Sequence, residues 1–417
     1  MKQKDKETKP KAISLFTGAM GLDLGIEKAG FNVVACVENE KKCVETIKRN
    51  RPTVKLYPED INIVDPAQIL SDLQLKPGDV ELVVGGPPCQ PFSTAGKRRS
   101  FNDFRGNVII RFLDYVKTIK PKYFILENVR GIYYAKLSNT PPEYQQYENL
   151  ENIPGSVVYF LYKEFQKLGY TISFSLFDSS LYSVPQKRER FIMFGTLASD
   201  PVELPIPTSA EKPVTVREAI QHIQNLKHDY IKLRETHIKY LKLLKAGQYW
   251  KNLPLDIQEE AMGKSFHLGG GKTGFYRRLS WDKPAPTLVT SPTMPATMLV
   301  HPEELRPLSI QEYALIQQFP DDWQFEGKIV SIYKQIGNAV PVGLGYAAGN
   351  AIKNHREGIK KHHEIILNHS RYKEMSHFEF IPKFETKYVD KKSDQLNAFG
   401  EKRNLTKPLF TEGEVAF

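Results

Sequence analysis

A doubly wound α/β fold with a mostly parallel sheet, joined to a second, smaller, irregular domain, is what this sequence predicts. Three observations carry the expectation. Short apolar, β-branched runs alternate with amphipathic helical stretches from Lys11 to about Gly195. The alternation stops at a proline-rich stretch, Pro201, Pro205, Pro207 and Pro213. The 417 residues, 41% hydrophobic and 25% charged, suffice for more than one buried core.

The expected strands are Ala12–Phe16, Phe31–Val37, Val80–Val84, Tyr123–Leu126, Ile172–Phe177 and Arg190–Phe194, each rich in branched or aromatic residues. Between them Leu22–Ala29, Lys41–Arg49, Asn107–Ile119 and Val157–Leu168 repeat apolar residues at helical spacing. Ligands of such a sheet bind at the carboxyl ends of its strands. Beyond the prolines, a basic helical stretch is expected over Val216–Leu244 and a glycine-rich turn at Gly269–Gly274; helical patterning returns from Arg306 to Lys353. This divides the chain into a disordered terminus (1–11), a first domain (12–195), an irregular domain (196–305), a return segment (306–354) and a C-terminal extension without an assignable role (355–417).

Charge narrows the partners. There are 58 Lys and Arg against 48 Asp and Glu, a net charge of +10, and 12 basic against 6 acidic residues lie between Lys227 and Lys283. A polyanion, nucleic acid before membrane, is the expected partner. No apolar run is long enough to span a bilayer and no apolar segment follows the Lys-rich start, so a cytoplasmic protein is expected. The only cysteines, Cys36, Cys43 and Cys89, exclude a disulfide scaffold and form no CxxC pair, so no metal is expected. All histidines lie at or after His222, which rules out a Cys-His or Ser-His dyad within the first domain.

The motifs cluster at strand ends. Phe16-Thr17-Gly18-Ala19-Met20-Gly21-Leu22 is a glycine turn opening a helix, but it lacks the G-x-G-x-x-G spacing of a dinucleotide site. Glu38 ends the second strand, where a carboxylate can accept both hydroxyls of a ribose, and Asp60-Ile61 could bind an adenine amine. The set describes an adenosine site without a diphosphate, for which S-adenosyl-L-methionine is the candidate. Val83-Val84-Gly85-Gly86-Pro87-Pro88-Cys89-Gln90 places a cysteine on a proline-framed loop at a strand end, a setting for a reactive thiol. Glu127 closes another strand on the same rim, where a partly buried carboxyl can act as a general acid. Arg188 and Arg190, two apart at the start of a strand, point the same way. Gly269-Gly270-Gly271-Lys272-Thr273 is not a phosphate loop, because Phe266 stands where that pattern needs glycine.

In this order the residues resemble the cytosine-5 DNA methyltransferase family in its prokaryotic modification form. The resemblance covers residues 11 to 353 and adds Arg105-Gly106-Asn107, Glu127-Asn128-Val129, Gln186-Lys187-Arg188-Glu189-Arg190, Arg306-Pro307-Leu308-Ser309, Phe319-Pro320-Asp321 and Gln335-Ile336-Gly337-Asn338-Ala339-Val340-Pro341. It implies an S-adenosylmethionine-dependent methyltransferase fold whose irregular domain recognises the target, acting on double-stranded DNA as a monomer in a bacterial cytoplasm, beside a separate restriction endonuclease. Cys89 would attack cytosine C6, Glu127 would contact N3 and the exocyclic amine, Arg190 would hold O2 and Arg188 would support the site. The cytosine must leave the stack for this. The cofactor would meet Phe16, Gly18, Ala19, Gly21, Leu22, Glu38, Asn39, Asp60, Ile61, Pro88, Asn338 and Ala339. DNA would meet Gln90, Ser93, Lys97, Arg98 and Arg105 on one loop, and Lys264, His267, Lys272, Arg277, Arg278 and Thr287 in the recognition domain. Ser14 and Met20 depart from the family, in which many members have Asp and Gly.

Three rivals fit less well. RNA methyltransferases of this fold usually carry Cys-Phe-Thr in the recognition region, and no cysteine follows Cys89. An adenine-N6 enzyme would need Asn or Asp before Pro-Pro, where Gly86 stands. A module that only binds DNA needs none of Cys89, Glu127 and Arg190.

Overall fold

The computed structural model describes residues 9–88, 108–138, 140–269, 272–360 and 368–389. The elements of the first domain run β1 (Lys11–Leu15), α1 (Gly21–Lys28), β2 (Asn32–Val37), α2 (Lys41–Asn50), β3 (Lys55–Tyr57), α3 (Pro66–Asp72), β4 (Leu82–Gly85), α4 (Val108–Ile119), β5 (Tyr123–Val129), α5 (Ser156–Lys167), β6 (Thr171–Asp178), β7 (Gln186–Lys187) and β8 (Glu189–Thr196). Next come α6 (Val216–Ile220), α7 (Glu235–Leu241), α8 (Leu255–Met262), β9 (Ala285–Pro286), α9 (Ile310–Ile316), α10 (Ile329–Asn338), α11 (Val342–Arg356) and α12 (His377–Phe384). The expected strands and helices fall within one to three residues of these bounds, and Lys11, assigned to the terminus, opens β1. No described helix is long and apolar enough to cross a membrane.

Seven strands form one sheet in the order β3-β2-β1-β4-β5-β8-β6. The pairs from β3 to β5 are parallel, whereas β8 lies antiparallel between β5 and β6, with Val129 opposite Arg190. This one reversal brings the amino end of β8 to the rim formed by the carboxyl ends of β1, β2, β4 and β5. Near-continuous apolar strands such as β4, with every residue buried, are covered on both faces. α3, α4, α5 and α12 cover one face; α1, α9, α10 and α11 cover the other. A third core joins Tyr240, Trp250, Met262, Tyr276, Met298 and Val300 within the irregular region.

The return segment reaches the first βα turn because glycines let backbones touch. A Cβ on Gly25 would lie 2.4 Å from Val342 O, and one on Gly21 would lie 2.3 Å from Val340 O. That close approach sets Asn338–Val340 beside the turn after β1.

The helix expected over Val216–Leu244 is not continuous. A Thr215/Glu218 capping box starts α6, which ends after five residues. His228 then pairs with Ser309 Oγ at 2.9 Å, Asp229 N–H donates to Gln311, and Ile310 N–H donates to Asp229 O. These tertiary bonds to the start of α9 take backbone groups that a helix would have used, so propensity is overridden.

Candidate active site

The turn after β1 is strained. Phe16 and Met20 have φ of 56° and 68°, left-handed positions that cost a residue with a Cβ, with Gly18 at 56° between them at no such cost. The turn is pinned by Glu38, whose Oε2 accepts from Gly18 N–H at 2.7 Å while Oε1 accepts from Glu40 N–H at 2.7 Å. Burial pushes the Glu38 carboxyl up, and the two N–H donors oppose that shift. Asn39 donates to Asp60 Oδ2 at 3.4 Å, joining the ends of β2 and β3. Ile61 is buried, and its carbonyl accepts from Arg111 at 3.3 Å. Ala19, Gly21 and Leu22 are buried, whereas Asn338 is exposed and Ala339 partly so at the rim. Thus Phe16, Gly18, Glu38, Asn39, Asp60, Ile61, Asn338 and Ala339 converge on the rim beside β1 to β3.

Asp23, to which the sequence analysis gave no role, lies beneath this turn. It is fully buried on α1, hydrogen-bonded to Ser14, and its Oδ1 has no partner among the described residues. Asp23 thus brings a buried carboxyl to Ser14 from the helix. Its signal was the Ser14 departure together with a charged residue inside Leu22–Ile26. Burial, the largest cause, raises its pKa from 3.8 to about 7; Ser14 opposes this, and Glu27 and Glu38 add to it. Between these values the native state holds a proton that the unfolded chain has released, so stability falls as pH rises through that window. Asp23→Asn removes this penalty. Urea unfolding is expected to show the variant gaining on the native chain by on the order of 4 kcal/mol between pH 4 and pH 8.

The second half of the site lies at the ends of β4, β5 and β8. Glu127 and Arg190 are both buried and form an ion pair, Nε to Oε1 at 2.8 Å. Burial raises the Glu127 carboxyl, while Arg190 and Arg188 pull it down. Gly86 makes room for it: a Cβ there would lie 2.7 Å from Glu127 Oε2. Asn128 Nδ2 donates to Pro87 O at 3.2 Å and so ties β5 to the proline loop. Pro88 is exposed at the end of the described part of that loop. Cys89 follows it directly and, with Gln90, Ser93, Lys97, Arg98 and Arg105, lies outside the described residues.

Arg188 is fully buried behind the rim, near enough to Glu127 to lower its carboxyl. Its guanidinium donates to Leu288 O at 2.8 Å and Gly337 O at 2.7 Å, so it positions the site by tying the irregular region and α10 to β8. Gln186, also without an earlier role, bonds Gln317 and Leu288 N–H in the same junction. Thr287 is exposed there, its Oγ1 donating to Lys187 O at 2.9 Å.

In the irregular region Lys264 and His267 are exposed, and His267 faces Glu259 at 3.0 Å. Lys272 donates to Phe266 O. Arg277 is half-buried and anchors Nε on Met298 O at 3.1 Å, and burial lowers its guanidinium pKa to about 10. Arg278 is the correction: it is buried and donates to Leu244, His301 and Glu304 carbonyls, so it holds the third core together and is not free to meet DNA.

A family model described as C-5 cytosine-specific DNA methylase matches residues 10–354. Type II methyltransferase M.PspPI of Psychrobacter sp. (strain TA137) is 40% identical over 348 residues, covering 82% of this chain and 78% of the relative. Type II methyltransferase M.Eco47II of Escherichia coli is 38% identical over 356 residues, covering 84% and 80%. In three dimensions the chain is similar to Spodoptera frugiperda DNMT2, with a TM-score of 0.55 at 16% identity over 82% of this chain and 99% of the other, a likeness of fold.

Proposed function

From the premise that the chain belongs to the C-5 cytosine-specific DNA methylase family and is a DNA cytosine-5 methyltransferase, we propose that it is the modification enzyme of a restriction system and methylates a cytosine turned out of duplex DNA through a covalent Cys89 adduct. The observation that carries this reading is the buried Glu127–Arg190 pair on the rim that leads into Cys89. Cytosine C5 is a poor nucleophile. Attack of the Cys89 thiolate on C6 forms a C–S bond and pushes electron density to C5, provided that N3 is protonated or hydrogen-bonded. A carboxyl whose affinity for a proton is raised by burial is suited to share one with N3, and the Arg190 guanidinium suits the O2 oxygen. Removal of the C5 proton and re-formation of the C5–C6 double bond then expel the thiolate. Flipping exposes C6 to Cys89, which a stacked base pair would deny.

S-adenosyl-L-methionine, when bound, supplies an electrophilic methyl group on a sulfonium. The residues fit it. The space beside Gly18 is open, with no atom within 4 Å of where a Cβ would sit, and Glu38 keeps lone pairs free for two ribose hydroxyls. Phe16, Asn39, Asp60 and Ile61 would flank the adenine, with Ala19, Gly21, Leu22, Pro88, Asn338 and Ala339 closing the walls. Glu38→Ala is expected to weaken S-adenosylmethionine binding by roughly ten- to a hundredfold, the loss of a charge-assisted pair of hydrogen bonds, while DNA affinity stays within twofold. Calorimetry with each ligand separately reads both; equal losses would reject the ribose assignment. Lys264, Lys272, Arg277 and Thr287 are the recognition-domain side chains proposed to face DNA.

The reading is tested by expressing the chain in a methylation-free bacterial host and sequencing the genome for modified cytosines. Five-methylcytosine at one short recurring motif is expected. Unmodified DNA, with folded protein present, would refute it.

A further inference from the structure

The C-terminal extension lies beyond the family match, which ends at residue 354, and the parts described are residues 355–360, which finish and follow α11, and 368–389. It does not trail from the body. Phe380 and Phe384 of α12 are fully buried against α5 and β6, and Tyr133, just after β5, donates to Met375 O. Ahead of α12, His369–Tyr372 crosses the ends of three strands. Asp178 N–H at the end of β6 donates to His369 O at 2.7 Å, and Tyr182 shares a hydrogen bond with His369 Nδ1 at 2.8 Å. Ser370 Oγ donates to Glu189 Oε2 at 2.6 Å, with Arg371 3.7 Å from the same carboxyl. Tyr372 lies between two guanidiniums, Arg130 at 4.2 Å and Arg371 at 4.9 Å from its ring centre.

Glu189 stands between Arg188 and Arg190 at the start of β8. Its backbone carbonyl accepts from Arg190 Nη1 at 2.8 Å, while Arg190 Nε holds Glu127 at 2.8 Å. Arg130 follows Glu127 by three residues at the end of β5. A continuous set of contacts therefore runs from the extension to both groups that face the cytosine.

We infer that Ser370 and Glu189 are positioning residues for methyl transfer: the C-terminal strap clamps the Glu189 carboxyl and so fixes the Arg190 guanidinium against Glu127. The inference rests on the reading of Glu127 and Arg190 as the groups that hold the base. Charged groups facing Glu189 are Asp178 from β6, Arg371 from the strap and Arg130 from the end of β5. Burial, the main cause, raises its carboxyl to about 7, and Ser370 is the strongest opposing contact. Those facing Glu127 are Arg190 and Arg188.

The test uses the full chain with Ser370→Ala and, as the conservative control, Ser370→Thr. At saturating DNA and cofactor, Ser370→Ala is expected to lower the single-turnover methyl-transfer rate by roughly ten- to a hundredfold, with duplex affinity within twofold and an unchanged melting temperature. Ser370→Thr restores the rate. Independently of activity, the Glu127 carboxyl, followed by carbon-13 NMR and assigned with Glu127→Gln, titrates at higher pH in Ser370→Ala because its cation is less well held. An unchanged Glu127 midpoint overturns the inference, as does a rate loss explained entirely by weaker DNA binding or lower stability. If the native chain leaves DNA unmodified, the functional reading fails, and the Glu127 midpoint still decides the role of the strap.

Discussion

Cys89→Ala is expected to abolish methyl transfer, lowering the single-turnover rate by roughly 10⁴-fold or more, the scale of losing a covalent nucleophile. The other two thiols, Cys36 and Cys43, are buried with pKa values pushed well up by burial, so neither supplies a thiolate. A Cys-His or Ser-His dyad within the first 221 residues is excluded, since all histidines begin at His222. Cofactor binding and DNA binding are expected to persist, because the exchange removes one sulfur atom and leaves the residues of the Glu38 cluster and of the recognition region unchanged. Rapid-quench transfer of a labelled methyl group measures the loss. Survival of transfer at a tenth of the native rate would remove the covalent step.

Glu127→Gln carries the second large effect, a fall in the methyl-transfer rate of roughly 10²- to 10⁴-fold, the usual worth of a positioned general acid. Glutamine keeps the shape, so Gly86 still accommodates it, but it cannot deliver a proton to N3. It also leaves Arg190 buried without its anion, and breaking a buried pair destabilises by about 3–5 kcal/mol. Differential scanning calorimetry beside the kinetics separates the two. A rate loss that appears only at temperatures where the variant unfolds would assign Glu127 to stability alone.

Much of this was legible in the sequence, for physical reasons that also mark where legibility ends. The parallel strands are buried on both faces, so their apolar runs stand out, and functional residues at their carboxyl ends share a rim whatever the loop details. Glu38, Glu127 and Arg190 were expected on that rim for this reason, and they lie there. The reversal of β8 was not readable, yet it brings the start of β8 to the rim and lets Arg190 reach Glu127. Local pattern could not assign Arg278 to the carbonyls of Leu244, His301 and Glu304, which lie far from it in sequence. The helix expected over Val216–Leu244 lost to long-range bonds with Ser309, Ile310 and Gln311, which no window of sequence contains. The extension gave no motif, because its contacts with Glu189 and Arg130 depend on strands paired far away in sequence.

One experiment reaches the central claim most directly: a duplex carrying 5-fluorocytosine, incubated with the native chain and S-adenosylmethionine and run on a denaturing gel. Fluorine at C5 cannot leave as a proton does, so a Cys89–C6 adduct that has taken the methyl group cannot eliminate. The account predicts a DNA-linked protein band that maps to Cys89 and is missing from Cys89→Ala. Native protein that methylates ordinary duplex DNA yet leaves no such band would contradict it.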